Sequence, residues 1–579
     1  MRAAAPESKS SWYLILLTIS LGGLQLAWAV ELSSGSPYLL SLGLSKSLLA
    51  LVWIAGPLSG VLVQPYVGIR SDQCRSRFGR RRPFIFGGAV ATVTSLMFLA
   101  WTREFIGALL SAFGASREGE AVKTTSIVFA VIMVYVLDFS VNVIQAGIRA
   151  FIVDNAPLHQ QDTANAWANR MSNVGNIILY IFGYIDLPRH LWFFGNTQFK
   201  VLCVIASVGL MITVLVSCLS IKEKTYGKPA GSTPAKGGLI TFFKTLFHSV
   251  RYLPRQIKRV CQVQLAAWVG WFPFLFYGST YIGEIYVDPI FRENPNMAPE
   301  EVDAVWEQGT RIGTFALLIF AVTSLVASIV IPWFIVNPYK PRDKTAATTP
   351  LTPAGAFPIA STEPLTDSHG DYFSDRDTRP TSDPRSRYIT FFRRYTSHPF
   401  SSKSDIDLTI PGLTLRRAWL YSHVMFALLM LLTFAAKSTT AATVLVAFIG
   451  IPWSITMWAP FALIAAEVRK RDQLRQSSRS VPREIAPDEI NGAADPQSGE
   501  VTETGLILGI HNVAISAPQV VATLISAGIF QALQKPRGQA GDGSVAWVLR
   551  FGGVLALVAA GLTFRVADET TVEETGDQV

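Results

Sequence analysis

The chain has 579 residues, half of them hydrophobic, 11% aromatic and only 16% charged. With one apolar window of about 20 residues after another, that balance excludes an ordinary soluble domain and points to a polytopic membrane protein. The net charge of +9 lies in alternate loops between apolar segments, which is the mark of membrane topology and not of a nucleic-acid groove.

No small-residue cleavage site follows the short MRAAAPESKSS leader, so no cleavable signal peptide is expected. The first predicted helix covers 12–32 and carries Gln25, Trp28 and Glu31; the second covers 47–69 and contains Gly56 and Pro57. Arg70, Arg75, Arg77, Arg80, Arg81 and Arg82 follow it and put that loop in the cytosol. Helix 3 is expected at 84–101, helix 4 at 124–151, helix 5 at 165–186 and helix 6 at 199–221.

Helix 4 lies in SIVFAVIMVYVLDFSVNVIQAGIRAFIVD, residues 126–154, an apolar stretch with Asp138, Asn142, Gln145 and Arg149 at i, i+4, i+7 and i+11. At roughly 100° per residue these four share one stripe. An aspartate in the middle of a span costs about 2.5–3.5 kcal/mol on insertion scales, so the stripe should face a wet cavity or a partner. The alternative is an ion pair that only joins helices. Helix 5 repeats the pattern with Asn165, Asn169, Asn173, Asn176 and Tyr180.

The stretch 222–260 is a basic connector, helices 7 (261–283) and 8 (309–336) flank an acidic external loop, and 337–415 is rich in Pro, Ser, Thr, Asp and Arg. The last segment cannot bury enough apolar surface to fold alone and is expected to be disordered and cytosolic. Helices 9 to 12 are expected at 416–435, 441–466, 503–532 and 545–565. Helix 11 places Asn512, Ser516 and Gln519 on a stripe beside His511, and helices 7 and 10 supply Trp268, Trp271, Trp453 and Trp458. Aromatic faces beside amides and hydroxyls suit a sugar. Prolines at 57, 273, 332, 452, 460 and 518 mark expected bends.

The expected fold is an all-α polytopic membrane protein of twelve transmembrane helices in two six-helix halves. Its parts are an N-terminal half (1–221), a cytosolic connector (222–260), helices 7 and 8 (261–336), a loop (337–415), helices 9–12 (416–566) and a cytosolic tail (567–579). Scattered cysteines at 74, 203, 218 and 261 predict neither a disulfide framework nor a metal site, and no hydrolase, P-loop or dinucleotide motif suggests an enzyme.

The blocks LQLAWAVELSSGSPYLLSLG, WIAGPLSGVLVQPYVGIRSDQCRSRFGRRRPFI, VLDFSVNVIQAGIRA, WFPFLFYGSTYIGEIY, GIPWSITMWAPFAL and GLILGIHNVAISAPQ resemble the sucrose transporter family. That family lies in the glycoside-pentoside-hexuronide branch of the major facilitator superfamily, and the blocks span nearly the whole chain in its order. The resemblance implies the major facilitator fold, Asp138 as proton-linked acid, Arg149 as its positive partner and Arg311 as a further pathway charge. It also implies a conformational latch of Asp72 with Arg80, Arg81 and Arg82. Where plant members have glutamine this chain has Glu31, a second candidate for the proton or sugar role. Gly278, Thr280 and Ile312 stand where plant members carry acids, and the long loop before helix 9 is also unlike them.

The function expected is a proton-coupled symporter that imports sucrose or a related α-glucoside by alternating access, with Glu31, Asp138 and Arg149 in proton coupling. Candidate sugar ligands are Gln25, Trp28, Asn142, Gln145, Asn169, Asn173, Asn176, Trp271, Arg311, His511 and Asn512. The partners are then a sugar, protons and the lipid bilayer, with no nucleic acid and no cofactor beyond the proton gradient. The membrane is the plasma or vacuolar one. Alternatives are a transporter-like sugar sensor, or a carrier of a monosaccharide or other glycoside.

Overall fold

In a bilayer only a helix satisfies all its backbone groups within one segment, so long apolar stretches become long helices. The computed structural model describes residues 8–72, 74–116, 119–157, 160–223, 244, 248, 250–336, 408–479 and 496–568. Helix α1 runs Ser11–Val30 and continues through a π-helical turn, Glu31–Gly35, into Ser36–Ser41. Helix α2 comprises Lys46–Val52 and Ala55–Asp72. The others are α3 (Arg82–Ala100), α4 (Glu120–Asn155), α5 (Gln161–Tyr184), α6 (Gln198–Ser220), α7 (Arg255–Glu293), α8 (Pro299–Phe334), α9 (Leu415–Leu431), α10 (Thr439–Arg479), α11 (Pro496–Leu533) and α12 (Ser544–Thr563).

Local sequence explains the breaks. Pro57 has no amide hydrogen for the Trp53 carbonyl and its ring would strike it, so α2 is interrupted by a turn at residues 53–54. Pro37 does the same to Ser33, inside the π-helical turn, and the freed Ser33 carbonyl accepts from Ser279 Oγ at 2.8 Å. Ser10, Ser45, Thr197 and Thr414 cap helix N-termini with their hydroxyls.

Among the described residues eleven helices are long and apolar enough to cross a membrane. The twelfth, α5, has 24 residues, but its asparagine face lowers its hydrophobicity. The helix packs between α1 and α8, with Asn173 and Asn176 half-buried and Asn165 and Asn169 exposed.

The helix contacts repeat with a shift of six. In the N-terminal half α1 packs on α4, α5 and α6, α2 on α4, and α3 on α4 and α6; in the C-terminal half α7 packs on α10, α11 and α12, α8 on α10, and α9 on α10 and α12. The pairs α2·α11 and α5·α8 join the halves and are equivalent under the same shift. One six-helix plan is therefore built twice.

Several boundaries differ from the sequence expectation. Glu284, Asp288 and Glu293, read as an external loop, belong to α7, so the connection to α8 is confined to 294–298. The helix Thr102–Ser111 was not anticipated. Most of the connector, residues 337–407 of the long loop and residues 569–579 of the tail lie outside the described residues.

Helices α1 and α5 come close together at Gly22 and Gly175, where a Cβ on Gly175 would lie 2.3 Å from the Gly22 carbonyl oxygen. A backbone oxygen cannot move aside as a side chain can. Gly175→Val should therefore cost at least the about 1–3 kcal/mol of ordinary overpacking, read as a lower melting temperature in detergent. An unchanged melting temperature would show that α1 and α5 can part freely.

Candidate functional site

The polar stripe of α4 is the spine of the site. Asp138 is fully buried, and neither carboxylate oxygen has a hydrogen-bond partner. It faces Gly56 of α2, where an added Cβ would sit 3.5 Å from Asp138 Oδ1. A residue without a side chain lets the α2 backbone close over the acid. In this conformation Asp138, expected to face a wet cavity or a partner, is enclosed by protein.

Its electrostatic neighbour is Glu31, in the π-helical turn of α1, and not Arg149. Glu31 is also buried with both oxygens unpartnered. The expected Asp138–Arg149 pairing does not form because eleven residues rise about 16 Å along a helix, four times an ion-pair distance. Arg149 is exposed, and among the described residues its guanidinium makes no ion pair or hydrogen bond.

Asn142 is bound by protein on every side. Its Nδ2 donates to Ser59 Oγ at 2.8 Å and to the Asp138 carbonyl at 2.9 Å, while its Oδ1 accepts from Gln64 Nε2 at 2.8 Å. It joins α4 to α2 here and has no free group for a ligand. Gln145 is half-buried along the same stripe.

Around this spine, Gln25 Cβ would lie 3.1 Å from a Cβ on Gly175, so α1 brings Gln25 to the asparagine helix α5. Gln25, Trp28, Asn173 and Asn176 are half-buried, and Asn176 Oδ1 is sealed without a partner. Asn165 and Asn169 are exposed toward the same end of the bundle as Arg149. From the other half, Asn512 Nδ2 donates to the Gly60 carbonyl at 3.3 Å, tying α11 to α2.

The remaining candidates sit elsewhere. Trp271 is stacked on Phe426 with centroids 3.9 Å apart and is 1% exposed, which makes it core and not cavity wall. Trp268, Trp453 and Trp458 are half-buried neighbours, and the indole nitrogens of Trp268 and Trp458 have no partner. Periodicity could not separate the core tryptophan from those near open space. His511 is buried, bonded through Nε2 to Gln264 Nε2 at 3.2 Å and packed edge-on to Phe461. Arg311 pairs with Asp186 at 3.2 Å and donates to the Tyr184 carbonyl at 3.1 Å, at the end of α5, so it belongs to a seam between the halves and not to the polar stripe.

At the arginine-rich end, Arg80 and Arg81 both pair with Asp154 of α4, at 2.8 and 2.9 Å. Their backbone amides donate to Glu223 at 2.9 Å, and Arg82 binds the Ile221 carbonyl. The Asp72 side chain lies outside the described residues. Asp154 and Glu223 were not singled out in the sequence, since both are ordinary acids at segment ends until the fold sets them beside arginines.

The model of the Major Facilitator Superfamily matches residues 11–374. The chain is 37% identical over 568 residues to the general alpha-glucoside permease of Schizosaccharomyces pombe, covering 96% of this chain and 93% of that protein. It is 30% identical over 343 residues to a sucrose transport protein of Arabidopsis thaliana, covering 56% of this chain and 63% of that one. The fold resembles that of the xylose transporter XylE from E. coli in a partially occluded inward-open conformation, with a TM-score of 0.52, 13% identity and 97% and 99% of the two chains covered. Six-helix plan, paired halves and sequence relatives agree: the chain belongs to the major facilitator superfamily, in the group that includes the fission-yeast α-glucoside permease and plant sucrose transport proteins.

Proposed function

We propose that the protein is a proton-coupled symporter that carries sucrose or a related α-glucoside across its membrane by alternating access. The observation that carries the coupling is the pair of buried acids, Glu31 and Asp138, unpartnered and acting on each other. Two like charges in one dry place cannot both stay ionised, so the pair holds a proton in this conformation and releases it when water reaches either acid. The sugar class follows from the relatives, and the amides of α1 and α5 and the tryptophans of α7 and α10 are side chains suited to sugar hydroxyls and sugar faces. The arginine-rich end lies in the cytosol by the positive-inside rule, and Arg80 and Arg81 with Asp154 form part of the cytosolic latch. Arg149 offers its free guanidinium to sugar hydroxyls.

Purified protein in proteoliposomes with a pH-sensitive dye inside tests this reading. Sucrose or maltose should drive faster proton influx than glucose at equal concentration, as expected of a relative of α-glucoside and sucrose carriers. Equal or stronger influx with glucose would defeat the disaccharide assignment; sugar accumulation without proton movement would defeat the coupling.

A further inference from the structure

At the end opposite the arginines, the halves are joined by charges that no sequence motif marks. Lys46, at the start of α2, binds Glu284 of α7 and, at 2.7 Å, Asp542 before α12, with Ser544 Oγ at 3.3 Å. The side chains of Lys46, Glu284 and Asp542 are only 10%, 6% and 12% exposed. Burial pushes the Asp542 carboxyl up, but Lys46 and the Ser544 hydroxyl and amide more than offset this and hold it below the ordinary carboxylate value. One cation thus bridges two acids of the opposite half.

The cluster does not stand alone. The Ser47 amide donates to Gln534 Oε1 at 3.3 Å, and deeper in the seam Ser36 Oγ donates to the Phe276 carbonyl while Ser279 Oγ donates to the Ser33 carbonyl, each at 2.8 Å. Directly over Lys46, Glu284 and Asp542 lies a cavity of about 410 Å³ lined from both halves. At the arginine-rich end Arg80 and Arg81 pair with Asp154, and Arg416 with Asp568, each within its own half.

We propose that Lys46, Glu284 and Asp542 form the outer gate, positioning residues that hold the halves together over the transport site and set the balance between its two exposures. Removing Lys46 leaves two carboxylates uncompensated, which is costly in the closed seam and relieved by opening it to water. Without Lys46, two carboxylates face each other at the seam. The opened state binds external sugar directly, so its larger share lowers the apparent KM in proportion. The same shift slows the return step and lowers the maximum rate.

The sugar readout rests on the symport reading, so the primary test uses no sugar. In a background with the native cysteines at 74, 203, 218 and 261 replaced, Thr280→Cys puts a thiol on a buried position beneath the gate. An impermeant thiol reagent applied to the outer face should label it about tenfold faster when Lys46→Gln is added. The exchange Lys46→Glu with Glu284→Lys, made together with Asp542→Asn so that the new carboxylate meets no like charge, restores the pair and should return labelling toward the starting rate. Asp542→Asn, which keeps Lys46 and Glu284, should be intermediate and serves if Lys46→Gln fails to reach the membrane. Unchanged labelling in Lys46→Gln, or a folded charge exchange that labels as fast as the single variant, overturns the gate. A labelling response in a protein that moves no sugar sustains the gate and removes the symport reading instead. For a protein that does move sugar, KM and maximum rate should fall together in Lys46→Gln; a loss of rate with KM unchanged overturns the gate.

Discussion

Asp138→Asn should abolish concentrative uptake while leaving exchange of labelled for unlabelled sugar. Asparagine keeps the shape of a protonated aspartate and cannot release a proton, so the carrier can still reorient with sugar but gains nothing from the gradient. One proton moving down a one-unit pH gradient supplies about 1.4 kcal/mol, or about tenfold accumulation; in the variant the inside concentration should only equal the outside. The acid is completely buried with both oxygens unpartnered, so the neutral amide meets no cation whose loss of a partner would confuse the result. Asp138→Glu retains the proton but moves it about one methylene toward the Gly56 backbone, and should slow transport more than it uncouples it. Glu31→Gln should be milder than Asp138→Asn if Asp138 is the principal carrier. Accumulation retained by the Asn variant at 138 and lost by the Gln variant at 31 would move the role to Glu31.

Arg149→Gln should raise the KM for sugar about 10–100-fold and leave the number of protons moved per sugar unchanged. Its guanidinium has no protein partner among the described residues and is exposed, so it is free to give charge-assisted hydrogen bonds, each worth about 1.5–3 kcal/mol. Arg149→Lys keeps the charge without the planar fork and should fall between the two. The separation from Asp138 along α4 is what predicts a binding defect and not an uncoupled carrier. A normal KM with loss of coupling would show that Arg149 acts through the acid in another state of the cycle.

Much of the architecture was legible in the chain because the bilayer leaves so few choices. An apolar segment of that length has to be a helix, alternate basic loops set its direction, and a local repeat of 3.6 residues puts Asp138, Asn142, Gln145 and Arg149 on one face. Proline marked one break, before Pro57, whereas Pro273, Pro332, Pro452, Pro460 and Pro518 lie inside continuous helices and the break at Pro37 was not anticipated. Helix α5 shows the limit of hydropathy alone: its asparagines are the same feature that weakens it as a membrane span and marks it as a polar wall.

Which residues meet across the bundle was not in any local pattern. A shared stripe says nothing about distance along the axis, so Asp138 and Arg149 looked paired although the helix rise keeps them about 16 Å apart. The neighbour of Asp138 comes from α1, where a π-helical turn carries Glu31. Trp271 and the half-buried Trp268 and Trp453 were equivalent by composition, and only packing against Phe426 made the first of them core. Lys46 meets Glu284 and Asp542 across 238 and 496 positions of sequence. Such contacts exist only once the two halves pack on each other, because only then do side chains this far apart in sequence share one buried seam.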